Sequence, residues 1–349
     1  MPPTSAAAPL DADLVLVGGY TAEMGGRARG IGVFVPGADP AGRLAFQPVA
    51  GPEATSPSYL LAHPHAGWVF AGSEAEPGAV TSYAVRADGW LSEIRRVPTG
   101  GSFTCHLAVS PDGNRLVAAD YGSGSVTGFS VRADGTLERS DRLVFTGSGP
   151  DAERQDAPHA HQVVWDHDRL LVCDLGTDRV HRLRVEASGR FRADPALELP
   201  AGAGPRHCVV IGDLLVVGCE LNGEIWVGHR SGDGWAEIQR LPSSERAGPN
   251  QVSAVVTDGR TVFAANRGPD TISTFRCGSA SLTREGEFAS GGRWPRDLTV
   301  AAGLLWVANQ NDDRVAAFPL AAMAPAGPAF TIRAPTPTCV LPWRGPRAR

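Results

Sequence analysis

Three short strings gather the residue types that move protons and hold anions: PHAH at 158–161, GPRH at 204–207 and WPRD at 294–297. Each stands just before an apolar run, where packing alone would favour apolar residues. A second set ends apolar runs: Asp174 in CDLGTD, Glu220 in GCELN, Arg267 in ANRG and Asn309 in ANQN. Imidazoles and carboxylates can take a proton from water, and a fixed guanidinium suits a developing oxyanion, a carboxylate or a phosphate. The chain contains no Lys, so its 32 basic residues are all Arg. Schiff-base chemistry and a P-loop lysine are thereby excluded, and any fixed cation beside a substrate is an arginine. There is no GxSxG elbow, no GxGxxG after a strand, no HExxH pair and no EF-hand loop.

The elements that must position these residues repeat along the chain. An apolar strand ends in a corner, a short turn follows, and a second alternating strand resumes. This pattern occurs over 14–35, 68–85, 116–131, 170–185, 214–229, 262–275 and 305–318. The aligned corners are Gly19, Ser73, Asp120, Asp174, Cys219, Asn266 and Asn309, at steps of 54, 47, 54, 45, 47 and 43 residues. Four short strands with their turns need about that length. A further strand precedes each corner, as in SPSYLLAHP (56–64), FTCHLAVSPDG (103–113) and GPRHCVVIG (204–212).

The seventh of these preceding strands lies at the far end, in residues 338–341, whereas residues 14–20 begin with the second strand of a unit. One unit is then built from both ends of the chain, which closes a ring and leaves no open sheet edge. The expectation is an all-β, seven-bladed β-propeller over residues 14–343, with a flexible N-terminal segment at 1–13 and a frayed tail at 344–349. No segment keeps a helical apolar spacing over three turns, so helical domains are not expected.

Composition narrows the partners. The 349 residues are 42% hydrophobic and 20% charged, with a net charge of -5. That supports a sizeable core and offers no basic field for nucleic acid or an anionic membrane. No stretch approaches the roughly 18 apolar residues of a membrane helix, and the start lacks a basic, apolar export signal, so a cytoplasmic protein is expected. The six Cys form no CxxC pair and mostly occupy apolar runs, which suits reduced, buried thiols.

The strings RQDAPHAHQV (154–163), VCDLGTDRV (172–180), GAGPRH (202–207), ANRGPDTI (265–272) and ANQNDDRV (308–315), with the corner Glu at 220, closely resemble the propeller-type lactonase family. That family includes bacterial 6-phosphogluconolactonases and fungal carboxymuconate cyclases. The resemblance runs from VGGYT to PTPTCVLP. It departs from the family pattern at Cys219, where Asn commonly precedes the Glu, and at Ser73. It implies a metal-independent site on one face of the channel, in which His161 or His159, Arg206, Glu220 and Arg267 cooperate.

Lactone opening needs an activated water, an oxyanion donor and anchors for the substrate's charged end. His161 or Glu220 would be the base, Arg206 would face the carbonyl or carboxylate, and Arg267 and Arg296 would clamp anions. His159, Asp174 and Asn309 would contact substrate, the last two through sugar hydroxyls. The expected partner is a small-molecule lactone, foremost 6-phosphoglucono-1,5-lactone opened to 6-phosphogluconate, with no cofactor, no nucleic acid and no membrane. Oligomeric state stays open, a monomer being compatible. The competing expectations are a cycloisomerase that closes a carboxymuconate, a non-catalytic propeller that binds a small ligand or protein, and a metal-dependent propeller lactonase.

Overall fold

The computed structural model describes residues 10–40, 44–320, 325 and 327–345. They form seven antiparallel sheets of four strands each, which are the seven blades of a propeller. Blade 1 has Pro337–Trp343 as its innermost strand, followed outward by Leu14–Gly19, Gly32–Ala38 and Leu44–Val49. The two chain ends therefore share a blade, as the displaced repeat requires. Blades 2 to 7 open on the inner strands Pro57–Ala62, Thr104–Val109, Ala160–Asp166, Pro205–Ile211, Gln251–Thr257 and Pro295–Ala301.

The second strand of each blade reads as an unbroken apolar run because both of its faces are buried. Successive side chains of a strand point to opposite faces. In Leu14–Gly19, Leu14 and Leu16 pack towards blade 2, against Leu60, Val69 and Tyr83. Val15 and Val17 pack towards blade 7, against Trp306, Val315 and Ile332. The same division recurs in blade 4, where Leu170 and Val172 join one core and Leu171 and Cys173 the next. Each blade thus contributes to two cores, and the ring is held by the seams between blades rather than by any blade alone.

Of the expected N-terminal segment 1–13 and tail 344–349, residues 1–9 and 346–349 lie outside the described residues. In the described part, the Asp13 N–H donates to the Trp343 carbonyl at 2.9 Å, and the Gly345 N–H donates to Asp13 Oδ2 at 2.8 Å. The seam is closed there by backbone as well as by apolar contact. Five of the six cysteines are buried, Cys277 is half-buried, and none is in a disulfide.

At the closing blade, Gly18 lies opposite Cys339 and against blade 2. A Cβ at this position would fall 2.2 Å from the Pro57 carbonyl oxygen and 2.6 Å from Cys339 Sγ. Gly18→Ala is therefore expected to destabilise the propeller by about 1–3 kcal/mol. Thermal unfolding should show a midpoint several degrees lower, and an unchanged midpoint would mean that the seam yields more easily than this packing implies.

Candidate functional site

One local device, repeated around the ring, builds the site. In blade 5 Pro205 lies opposite Cys219 and His207 opposite Gly218, so Arg206 is an extra residue with no cross-strand partner. The same one-residue bulge occurs at His161, Arg296, Cys105, Ser58 and Thr338. Blade 6 has an equivalent register shift between Val252 and Val255. A bulge bends its strand and re-aims the side chains on either side of it. Consecutive pairs, among them Ser58 with Tyr59, Arg206 with His207 and Arg296 with Asp297, consequently line one narrow cleft with His161. In six of the seven blades, blade 4 with its buried Leu175 being the exception, the residue after the corner is polar and stands at the mouth: Tyr20, Glu74, Tyr121, Glu220, Arg267 and Gln310.

Glu220 is the hub of that mouth. Its Oε2 is 3.0 Å from Arg206 Nε and 2.6 Å from Arg267 Nη2, and its Oε1 accepts a hydrogen bond from Arg154 Nη2 at 2.6 Å. Glu220, Arg206 and Arg267 are all buried. Burial alone would raise the carboxyl's pKa, but Arg267, Arg206 and Arg154 together hold it at about 2. Arg206 is pushed down to about 10, by burial and then by Arg267. Arg206 Nη1 also donates to the carbonyl of Ser253 in blade 6, and the Arg267 guanidinium stands 5.4 Å over the Trp294 ring. The contacts of Arg206 Nε and Arg267 Nη2 with Glu220 are close but poorly aligned, and neither nitrogen makes a hydrogen bond among the described residues.

A second ion pair stands at the mouth between blades 1, 2 and 7. Tyr20 donates to Glu74 Oε1 at 2.7 Å, and Arg296 donates to Tyr20, stacks 4.7 Å from its ring and lies 3.5 Å from Glu74. Burial opposes the charge on Arg296, yet Tyr20 and Glu74 raise its pKa overall. Burial likewise drives the Tyr20 phenol well above its usual pKa.

Below the mouth are three imidazoles. His106 and His161 each lie 5.5 Å from His207, ring centre to ring centre, and the Tyr59 ring lies 4.0 Å from His106, tilted by 31°. Burial, followed by the field of Arg206, pushes all three histidines below the usual imidazole range, His106 to about 3. They are neutral at physiological pH. The Nδ1 atoms of His106 and His161 make no hydrogen bond among the described residues. Asp297, on the same cleft, is pushed up to about 7 by burial, against the pull of Arg206.

The structure brings together five of the residues singled out by sequence: His161, Arg206, Glu220, Arg267 and Arg296. Three others are corrected in position. Asp174 is fully buried inside blade 4, where it accepts from the backbone N–H groups of His159 (2.7 Å) and Gly176 (3.1 Å) and bonds His181 at 2.9 Å. Asn309 is equally buried and donates to the Ser290 carbonyl at 3.0 Å. Both are corner residues that pair with the residue before the bulge, and both side chains are held within their blades. His159 stacks on the outside of Tyr121 at 4.4 Å and bonds Asp156, so it supports the wall and does not line the cleft.

Residues that sequence reasoning passed over are Arg154, Tyr20, Glu74, Tyr121, His106, His207 and Asp297. Arg154 opens the string RQDAPHAHQV and is set over Glu220 by its neighbour Gln155, which donates to the Leu175 carbonyl (2.8 Å) and Asp178 Oδ1 (2.7 Å). Tyr20, Glu74 and Tyr121 occupy the repeat position of Glu220 and Arg267, directly after a corner. That shared position was the available signal.

The ring thus carries arginines at its channel mouth above three neutral histidines. The chain belongs to the seven-bladed β-propeller lactonase family: the family model described as "Lactonase, 7-bladed beta-propeller" matches residues 14–342. A 6-phosphogluconolactonase from Bacillus subtilis (strain 168) is 27% identical over 258 residues, covering 69% of this chain and 73% of that protein. A relative from Arthroderma benhamiae is 26% identical over 205 residues, and that match spans about half of each, 54% of this chain and 52% of the relative. Among solved structures, the periplasmic gluconolactonase of Pseudomonas aeruginosa superposes with a TM-score of 0.83 at 27% identity, over 94% of this chain and 98% of the other. The family, the fold and the lactonase class of hydrolase thus agree with the resemblance read from the motifs. No helix among the described residues is long and apolar enough to cross a membrane.

The Glu220 hub has a consequence for stability. An ordinary Glu titrates at 4.5 and this one at about 2, so its stabilising contribution is complete above the ordinary value and is lost as pH falls towards 2. Glu220→Gln leaves buried guanidiniums without their counter-charge and should cost on the order of 3 kcal/mol near neutrality. Denaturant titrations at pH 7 and pH 3 should show the gap from wild type narrowing at the lower pH. A gap independent of pH would show that the carboxylate's charge does not hold the cluster.

Proposed function

We propose that the protein hydrolyses a sugar lactone, foremost 6-phosphoglucono-1,5-lactone, to the open acid, and that it does so without a metal. The observation that carries this reading is a set of buried nitrogens on or beside one cleft: Arg206 Nε and Arg267 Nη2, ion-paired with Glu220 in poor hydrogen-bond alignment, and His161 Nδ1, which makes no hydrogen bond among the described residues. Buried polar atoms with hydrogen-bonding capacity to spare are costly, and their convergence supports a ligand site here. Four guanidiniums, Arg154, Arg206, Arg267 and Arg296, face two mouth carboxylates, Glu220 and Glu74. The excess positive charge suits both a phosphate and an oxyanion forming at a lactone carbonyl.

In this reading Arg206 and Arg267 stabilise the oxyanion, and Arg296, steadied by Tyr20 and Glu74, holds the anionic end of the substrate. Glu220 serves as the post that aims three guanidiniums. A carboxylate held at about 2 has little affinity for a proton and makes a poor base. His161, kept neutral, offers a hydrogen bond to the lactone or to the attacking water. The unpaired thiols support a reducing compartment, in keeping with a cytoplasmic enzyme.

The test is the hydrolysis of freshly made 6-phosphoglucono-1,5-lactone above its spontaneous rate, with and without chelator. Wild type should accelerate it in both conditions. Arg206→Ala and Arg267→Ala should each lower kcat/KM by about a hundredfold or more. The unphosphorylated lactone should react with a higher KM and a similar kcat. Equal kcat/KM for the two lactones would remove the phosphate from the reading, loss of activity with chelator would remove the metal-free step, and no acceleration of either would remove the function.

A further inference from the structure

Hydrolysis of a lactone needs a group that takes a proton from water, and the two expected bases are poorly suited to it. Glu220 is locked among three guanidiniums, and His161 is held far below its usual range by burial and Arg206. We propose that Asp297 is the catalytic base of the site, taking the proton of the attacking water and returning it to the ring oxygen that leaves. This inference rests on the lactonase reading and gives a role to the Asp of the WPRD string, to which the sequence analysis assigned none.

The geometry comes from the bulge of blade 7. Pro295 pairs with Asn309 and Asp297 with Ala308, so Arg296 is the extra residue and Asp297 follows it onto the lumen wall. Asp297 lines the same cleft as His161, Arg206 and His207. The backbone N–H groups of Leu298 and Val340 favour its charged form without supplying a counter-charge. The guanidiniums lining the cleft are committed elsewhere, Arg206 to Glu220 and Arg296 to Glu74 and Tyr20. Asp297 is thus a buried carboxyl on the cleft wall that is not consumed by an ion pair.

The groups that face it agree with that role. Arg206 and Arg296 favour its charged form, while burial disfavours it, and the balance is about 7. Tyr59 on blade 2 and Cys339 on blade 1 are both raised by burial and stay neutral. His161 and His207 are neutral across the same range, as is the Cys105 thiol on blade 3. None of these four neighbours of the cleft, nor the Cys339 thiol, changes charge near neutrality.

The step balances as follows. The water oxygen forms a bond to the lactone carbonyl carbon while one water proton passes to Asp297, and the oxyanion lies against Arg206 and Arg267. When the carbonyl re-forms, the bond from that carbon to the ring oxygen breaks, and Asp297 returns the proton to the departing oxygen. The products are a free hydroxyl and a carboxylic acid, which loses its proton to solvent.

The experiment is the pH profile of kcat/KM for 6-phosphoglucono-1,5-lactone, corrected for spontaneous hydrolysis, for wild type and Asp297→Asn, with their melting temperatures. Wild type should show activity rising with pH through a single limb near 7. Asp297→Asn should lose at least a hundredfold in kcat with KM within about twofold, and the limb should vanish. Its melting temperature at pH 8 should be unchanged or higher, because a buried charge has been removed. A purely structural role would lower the melting temperature and leave the limb in place. If Asp297→Asn does not fold, the temperature dependence of the wild-type limb decides: a carboxyl midpoint barely moves on warming, whereas an imidazole midpoint falls. A variant with wild-type kcat, a surviving limb or an imidazole-like midpoint overturns Asp297 alone. A wild type that accelerates no lactone overturns the proposed function and Asp297 with it.

Discussion

The site depends on a single extra residue at the start of each inner strand. Without the bulge, alternation along a strand would send one side chain of each adjacent pair to the lumen and the other into the blade seam. With it, blades 5 and 7 each deliver two polar side chains to the cleft, Arg206 with His207 and Arg296 with Asp297. The corner residue opposite each bulge pairs with the residue before it, as Asp174 does with Ala160 and Asn266 with Val252. The corners are therefore polar or small for a structural reason: they tie the bulged strand to the loops around it.

The charges set in this frame follow from their burial. A guanidinium taken out of water needs a counter-charge, and Glu220 supplies one to three of them at once. Arginine suits this role better than lysine, because its planar fork can meet a carboxylate on one edge and leave other N–H groups facing a ligand. The pairing of Arg296 with Tyr20 and Glu74 repeats the principle across the channel mouth with residues from three blades. Because both clusters span blade boundaries, the rigidity of the ring is also the rigidity of the charge pattern.

Much of this was legible in the chain. Seven corners spaced by 43 to 54 residues set the blade number, and each corner lies at or next to the end of a second strand. Residues 338–341 identified the closing strand within Pro337–Trp343. Glu220 and Arg267 were found because they follow corners, and His161, Arg206 and Arg296 because they stand before apolar runs. Asp174 and Asn309 were misplaced by one residue of register: the corner itself turns into the blade and its successor turns to the mouth. His207 and Asp297, though they end the GPRH and WPRD strings, were given no role for the complementary reason. A bulge leaves no mark in the apolar pattern, so strict alternation assigns their side chains to the seam when their neighbours face the lumen. Arg154 is held by a loop whose anchor, Gln155, makes its contacts with distant residues that sequence spacing does not reveal.

The closure of blade 1 by Pro337–Trp343 also orders events during synthesis. Thr338 forms part of the cleft wall and the Val340 N–H favours the charged form of Asp297, so the cleft is complete only after the strand that follows blade 7 has been made. Six blades can stack beforehand as an open arc whose two terminal blades each expose an apolar face. The chain is therefore most prone to stray association until that strand docks on Leu14–Gly19, and it gains a finished cleft in the same event that removes those faces from water.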